Sequence, residues 1–248
     1  MRIIISPAKK MKENTHILPV KQLPLFIEET KQLLDYMKSL DYETLKSIWK
    51  CSDKLASLNY KRIQSMNLHE GLTPALISYE GLQYQYMGST VFDSKAYAYL
   101  EEHLRILSGF YGVLRPFDGV VPYRLEMQSK LKGNHLDSLY DFWSSKLANQ
   151  LMSESQTIVN LASKEYSAAI SKHLSEKVHF LTCVFGEIIQ NKVVEKGTLA
   201  KMARGEMVRY LSEKQIQDVE AIKSFDRLDY VFSHDLSNST TYVFLKYK

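Results

Sequence analysis

Cysteine, glycine and proline are scarce in this 248-residue chain, which holds 2 Cys, 10 Gly and 6 Pro. Two cysteines, Cys51 and Cys183, cannot build a disulfide framework, so stability must come from a packed core. No apolar run approaches the ~20 residues of a membrane-spanning helix. The opening Met1-Arg-Ile-Ile-Ile-Ser-Pro7 carries too short an apolar stretch for a secretory signal, so the expectation is a cytoplasmic protein without a membrane partner. Patterns of the G-x-G-x-x-G, Walker A, H-x-H, H-E-x-x-H and C-x-x-C types are all missing. Their absence removes the usual signatures of dinucleotide, P-loop and zinc chemistry, and neither cofactor nor metal is expected.

What the chain does have is 45% hydrophobic and 24% charged residues, the balance of a globular protein with ample core. A net charge of +4 permits a polyanionic partner without demanding one. There are no repeats, low-complexity tracts or long linkers, so residues 1–248 read as one domain. Strands are expected at 2–6, 75–79, 83–87, 104–108, 157–161, 178–190, 230–233 and 241–246. Helices are expected at 24–40, starting on Pro24, and at 94–103, 136–152, 163–174, 198–213 and 216–225. Asp41 and Ser52 are good N-caps for two further helices, ending near 49 and 66, that form a hairpin at 41–66. Strands and helices alternate irregularly, which favours a mixed α/β (α+β) fold: a mixed sheet flanked by helices.

Glycine and proline gather in one place. Leu107-Ser-Gly-Phe-Tyr-Gly-Val-Leu-Arg-Pro-Phe-Asp-Gly-Val-Val-Pro-Tyr-Arg-Leu-Glu-Met127 holds three glycines and two prolines among aromatics. Charges threaded through such an apolar turn system must be paired or line a cleft. In an extended backbone Arg124 and Glu126 share a face, with Tyr123, Leu125 and Met127 on the other. They suit gripping a phosphate or orienting a water; the plainer alternative is a structural ion pair.

Four other segments carry chemistry. In the helix around 198–213, Lys201 and Arg204 lie one turn apart and Arg209 follows. Ala203 and Gly205 keep that helix slim enough for a close approach, and it is either a phosphate-contacting face or a solvated one. Asn160 ends a strand, and Ser163 and Glu165 open the next helix, as site residues or as ordinary caps. Lys9 and Lys10 emerge at the carboxyl end of the first strand, where α/β sheets place crevices. The hairpin carries Lys50, Ser52, Lys54 and Arg62, and its turn plus the N-terminus of the following helix can dock on a DNA backbone or simply pack in the core.

These blocks together resemble the YaaA family of bacterial peroxide-stress proteins. The matching pieces are Ile5-Ser-Pro-Ala-Lys9, Ser52-Asp-Lys-Leu-Ala56 with Leu58-Asn59 and Arg62, and Ile106-Leu-Ser-Gly-Phe-Tyr-Gly-Val-Leu-Arg-Pro116. Pro122-Tyr-Arg-Leu-Glu-Met127, Asn160-Leu-Ala-Ser163 with Glu165-Tyr166, and Ala203-Arg-Gly-Glu-Met207 with Arg209-Tyr210 complete the set. The resemblance implies a positively charged cleft, a helix-hairpin-helix-like element at 43–64, and binding of duplex or branched DNA. It also implies a role in surviving hydrogen peroxide, with iron-dependent DNA damage limited indirectly. The DNA-contacting set is then Lys9, Lys50, Ser52, Lys54, Asn59, Arg62, Arg124, Lys201, Arg204 and Arg209. A competing expectation is an enzyme for a phosphorylated or nucleotide-like substrate, with Glu126, Asn160 and Glu165 as candidate catalytic residues. Convergence of these side chains within hydrogen-bond reach favours chemistry, and dispersal along a surface groove favours simple binding.

Overall fold

Ile3, Ile4 and Ile5 are all fully buried, as befits an inner strand, β1 (Arg2–Ile5), of a sheet covered on both faces. The computed structural model describes residues 1–13, 16–131 and 138–247. After β1 come β2 (Lys10–Met11) and the helices α1 (Ile27–Ser39), α2 (Tyr42–Trp49) and α3 (Asp53–Ser65). Short elements follow: β3 (Thr73–Pro74), α4 (Ala75–Ser78), β4 (Tyr79–Glu80) and α5 (Leu82–Met87). Helix α6 (Ser94–His103) runs directly into β5 (Leu104–Ser108), β6 (Gly112–Leu114) and β7 (Gly119–Val120). Next are α7 (Leu139–Trp143), α8 (Lys146–Glu154), β8 (Thr157–Leu161) and α9 (Lys164–Ser171). The chain closes with β9 (His179–Ile189), β10 (Lys192–Val194), α10 (Gly197–Lys214), a 3-10 turn (Val219–Ser224), β11 (Tyr230–Asn238) and β12 (Thr241–Lys246).

The main sheet has eight strands in the order β11-β12-β9-β8-β1-β5-β6, with β10 added to β9. Its five inner strands, β12 to β5, run parallel, while β6, β10 and β11 are antiparallel additions at the margins. The fold is therefore mixed α/β, as the irregular alternation predicts. Parallel strands need covering helices, and the buried faces of α1, α8, α9 and α10 join one apolar core with the sheet.

Several local expectations are corrected. Of the strand expected at 75–79, residues 75–78 form α4 and only Tyr79 is extended, opening β4, and residues 83–87 lie in α5. Pro74 pairs with Gly119, and the Ala75 and Leu76 amides donate to the carbonyls of Asp118 and Pro116, so this apolar run turns helical without joining the sheet. Helix α1 starts at Ile27, three residues after Pro24. The helix expected at 136–152 is two helices, because Ser144 takes φ 44° between α7 and α8; positions 136 and 137 lie outside the described residues. The segment at 216–225 is a 3-10 turn over Val219–Ser224.

Candidate functional site

β1 and β8 are neighbours in the sheet, yet the chain proceeds from β1 to β5 on one side and from β8 to β9 on the other. Where connections diverge in this way, a crevice opens beyond the carboxyl ends of the strands. A pocket of about 380 Å³ occupies this place, lined by Ser6 and Pro7 after β1 and by Ser163 and Glu165 after β8. The Ser163 amide donates to Ser6 Oγ at 2.8 Å, which ties the two strand ends together.

A second wall is the extended segment around residue 124. It is not a strand, but its burial alternates as period two requires: Tyr123, Leu125 and Met127 are buried, and Arg124 and Glu126 line the pocket. Gly109 makes this possible, since a Cβ there would stand 2.6 Å from the Leu125 carbonyl oxygen. The third wall is α10, which contributes Lys201 and Arg204. Gly205 does admit a close neighbour, and the neighbour is the protein itself: a Cβ would lie 2.1 Å from the Gln83 carbonyl of α5. That contact places Gln83 and Tyr84 on the fourth wall, two residues the sequence reading did not select.

Charge in the pocket is largely balanced. Glu126 holds Lys9 at 2.8 Å and Arg124 at 3.0 Å, Glu80 holds Lys10 at 2.9 Å, and Glu195 holds Arg204 at 3.0 Å. Lys201 has no carboxylate partner among the described residues. Glu165 accepts from the Gln128 amide at 3.2 Å. Burial, helped by the nearby Glu126 charge, nevertheless raises its carboxyl above the usual range. Tyr84 donates to the Ser6 carbonyl at 2.9 Å, and Tyr123, pushed up to about 12 by burial, stays a neutral phenol beside Ser108 and Tyr79.

Five buried side-chain polar atoms lack a hydrogen-bond partner among the described residues. Three of them, Gln83 Nε2, Arg124 Nε and Arg204 Nε, belong to residues lining this one pocket. Buried donors are normally satisfied, so their concentration at one site asks for an acceptor.

The expected site residues thus fall into groups. Lys9, Arg124, Glu126, Glu165, Lys201 and Arg204 converge on the pocket. Asn160 does not line it: its carboxamide accepts from the Ala162 amide at 2.9 Å and donates to Thr182 at 3.2 Å, shaping the turn after β8. Arg209 is also outside the pocket and pairs with Glu213 at 2.8 Å. Lys50, Ser52, Lys54, Asn59 and Arg62 belong to the hairpin of α2 and α3. There Asp41 caps α2 by accepting from the Thr44 amide, and Lys50 turns the chain with φ 44°. Ser52 is the N-cap of α3, but its hydroxyl makes no capping bond. Lys50, Ser52 and Lys54 are exposed and Arg62 is half-buried. None of these three cations has a carboxylate partner among the described residues, although Lys46 and Asp53 pair beside them. Asn59 is buried and donates to the Leu55 carbonyl at 2.7 Å.

Cys183 is buried, which pushes its thiol up to about 12 and removes it as a nucleophile; Cys51 is half-buried. Among the described residues no three His, Cys, Asp or Glu side chains are grouped to hold a metal ion, and no helix is long and apolar enough to cross a membrane.

Fold and site define a mixed α/β protein with a charged crevice at the switch point of its sheet. The chain belongs to a family described as peroxide stress protein YaaA, whose model matches residues 1–236. A UPF0246 protein of Lachnoclostridium phytofermentans is 56% identical over 246 residues, covering 99% of this chain and 96% of the relative. Another UPF0246 protein, from Pediococcus pentosaceus, is 51% identical over 246 residues, covering 99% and 98% respectively.

Proposed function

We propose that this peroxide-stress protein works by binding duplex or branched DNA, with the hairpin of α2 and α3 as the phosphate contact. One observation carries the reading: among the described residues Lys50, Lys54 and Arg62 have no carboxylate partners, while most other candidate cations are paired. Lys50 and Lys54 flank the N-terminus of α3, where free amides and the uncommitted Ser52 hydroxyl can meet phosphate oxygens, and Arg62 lies in the last turn of the same helix. Lys9, Arg124 and Arg204 already neutralise carboxylates, so they add less to a polyanion than a formal count suggests. Contacts of this kind ignore base sequence and fade with salt. In this reading the protein limits peroxide damage at the DNA itself, and any effect on free iron is indirect.

Titration of a labelled duplex across a salt series tests the idea. Three phosphate contacts give a slope of log affinity against log salt of roughly −3. The Lys54→Glu/Arg62→Glu double variant is expected to lose at least about tenfold in affinity and to flatten that slope by about 2. Equal binding by wild type and double variant would remove the hairpin from the function.

A further inference from the structure

We infer that the pocket at the carboxyl ends of β1 and β8 binds a nucleoside monophosphate or a closely similar phosphorylated molecule. The inference is independent of the hairpin and rests on the three unpartnered donors. Arg124 and Arg204 each spend Nη2 on a carboxylate, which fixes the guanidinium in place, while each Nε is buried without an acceptor among the described residues. Gln83, 7% exposed, likewise leaves Nε2 unpaired. Lys201, one helical turn from Arg204, brings a positive charge that no carboxylate among the described residues pairs with. Three residues with an orphan donor, two of them guanidinium groups, and an ammonium without a carboxylate partner among the described residues line one cavity, a set that suits the clustered acceptor oxygens of a phosphate.

The remaining wall selects the body of the molecule. Pro7, Ala8 and Leu82, with the ring of Tyr84, provide apolar surface for a flat or sugar-like group. Glu126 and Glu165 are acceptors on the same cavity, suited to the N–H or O–H groups of a nucleoside and hostile to a second phosphate. A volume of about 380 Å³ falls in the range of small-molecule sites, about 300–1,000 Å³. A bare oxyanion would satisfy the donors but leave the apolar wall and both carboxylates unused.

Calorimetric titration of the full chain is the test, with the four common deoxynucleoside monophosphates, the matching nucleosides and inorganic phosphate as separate probes. One or more monophosphates are expected to bind with one-to-one stoichiometry, more tightly than either the nucleoside or phosphate. Lys201→Met, at an exposed position that does not endanger folding, should weaken binding about tenfold or more, the scale of one hydrogen bond to a charged group. Gln83→Leu should weaken binding too, yet raise the melting temperature of the empty protein because it deletes an unpaired buried amide. Lys54→Glu/Arg62→Glu should bind the monophosphate as wild type does, so a failed pocket and a failed hairpin give different results. Absence of binding by all four monophosphates at millimolar concentration would overturn the inference. Unchanged affinity in Lys201→Met, or phosphate alone binding as tightly as the monophosphates, would overturn it equally.

Discussion

Glu165 sits in the first turn of α9 with its carboxylate partly withdrawn from water and a second carboxylate, Glu126, on the same cavity. Burial first, and that neighbour next, hold its folded value above the unfolded one. The folded chain therefore binds more protons than the unfolded chain in this window, and stability falls as pH rises through it. Glu165→Gln keeps an acceptor for the Gln128 amide and removes the buried charge. It is expected to melt at a higher temperature than wild type near about pH 7.5, with the gap closing as pH drops into the ordinary carboxylate range. Thermal melts across pH check this, and a constant gap would contradict it. At this scale much of the site could be read in advance. The Arg124/Glu126 spacing, the Lys201/Arg204 helical step and Glu165 at a helix start each follow from a local period. Gln83, Tyr84 and Glu195 could not, because each reaches its place through tertiary contact and none sits in a local pattern that marks it.

The packing of α5 on α10 shows how a helix pair builds a pocket wall. Gly205 looks like a flaw inside an 18-residue helix, but it is the point where the α5 backbone docks. Gly205→Ala should gain about 1 kcal/mol of helix propensity and lose about 3 kcal/mol to overpacking, a net cost of about 2 kcal/mol. Gly197→Ala, at the open start of the same helix with nothing within 4 Å, is the control and should be neutral or slightly stabilising. Urea denaturation of both variants measures the difference. Element types were legible wherever period and punctuation agreed, as in α6, β5 and β8. They failed at α4 and α5, whose apolar residues read as strand while their backbones find helical partners. Gly88, at φ 67°, is the C-cap of α5 and the stop signal that the strand reading passed over. The break at Ser144 has no such mark in the sequence.

Across the whole molecule, a single carboxylate ties three elements. Glu154 at the end of α8 accepts from Arg2 of β1 at 2.7 Å and from Arg105 of β5 at 2.7 and 2.8 Å, and Gln150 holds its other oxygen. Burial alone would raise this carboxyl, but Gln150, Arg2 and Arg105 together hold it below its usual range. Its contribution is thus present above the ordinary carboxylate value and lost as pH falls through the depressed folded value. Glu154→Gln should cost about 3 kcal/mol near neutrality, because it strands two partly buried arginines, and less in acid. Denaturation at two pH values separates this behaviour from the opposite trend at Glu165.

The placing of β1 has a temporal side. Translation delivers Ile3, Ile4 and Ile5 first, but their hydrogen-bonding neighbours on both flanks, Leu104–Ser108 and Thr157–Leu161, emerge much later. Until Leu161 has left the ribosome β1 has no complete seat, so the nascent chain must carry an unpaired apolar strand while residues 6–161 are made. Docking of β1 is therefore one of the last steps by which the sheet, and the pocket at its strand ends, can be completed.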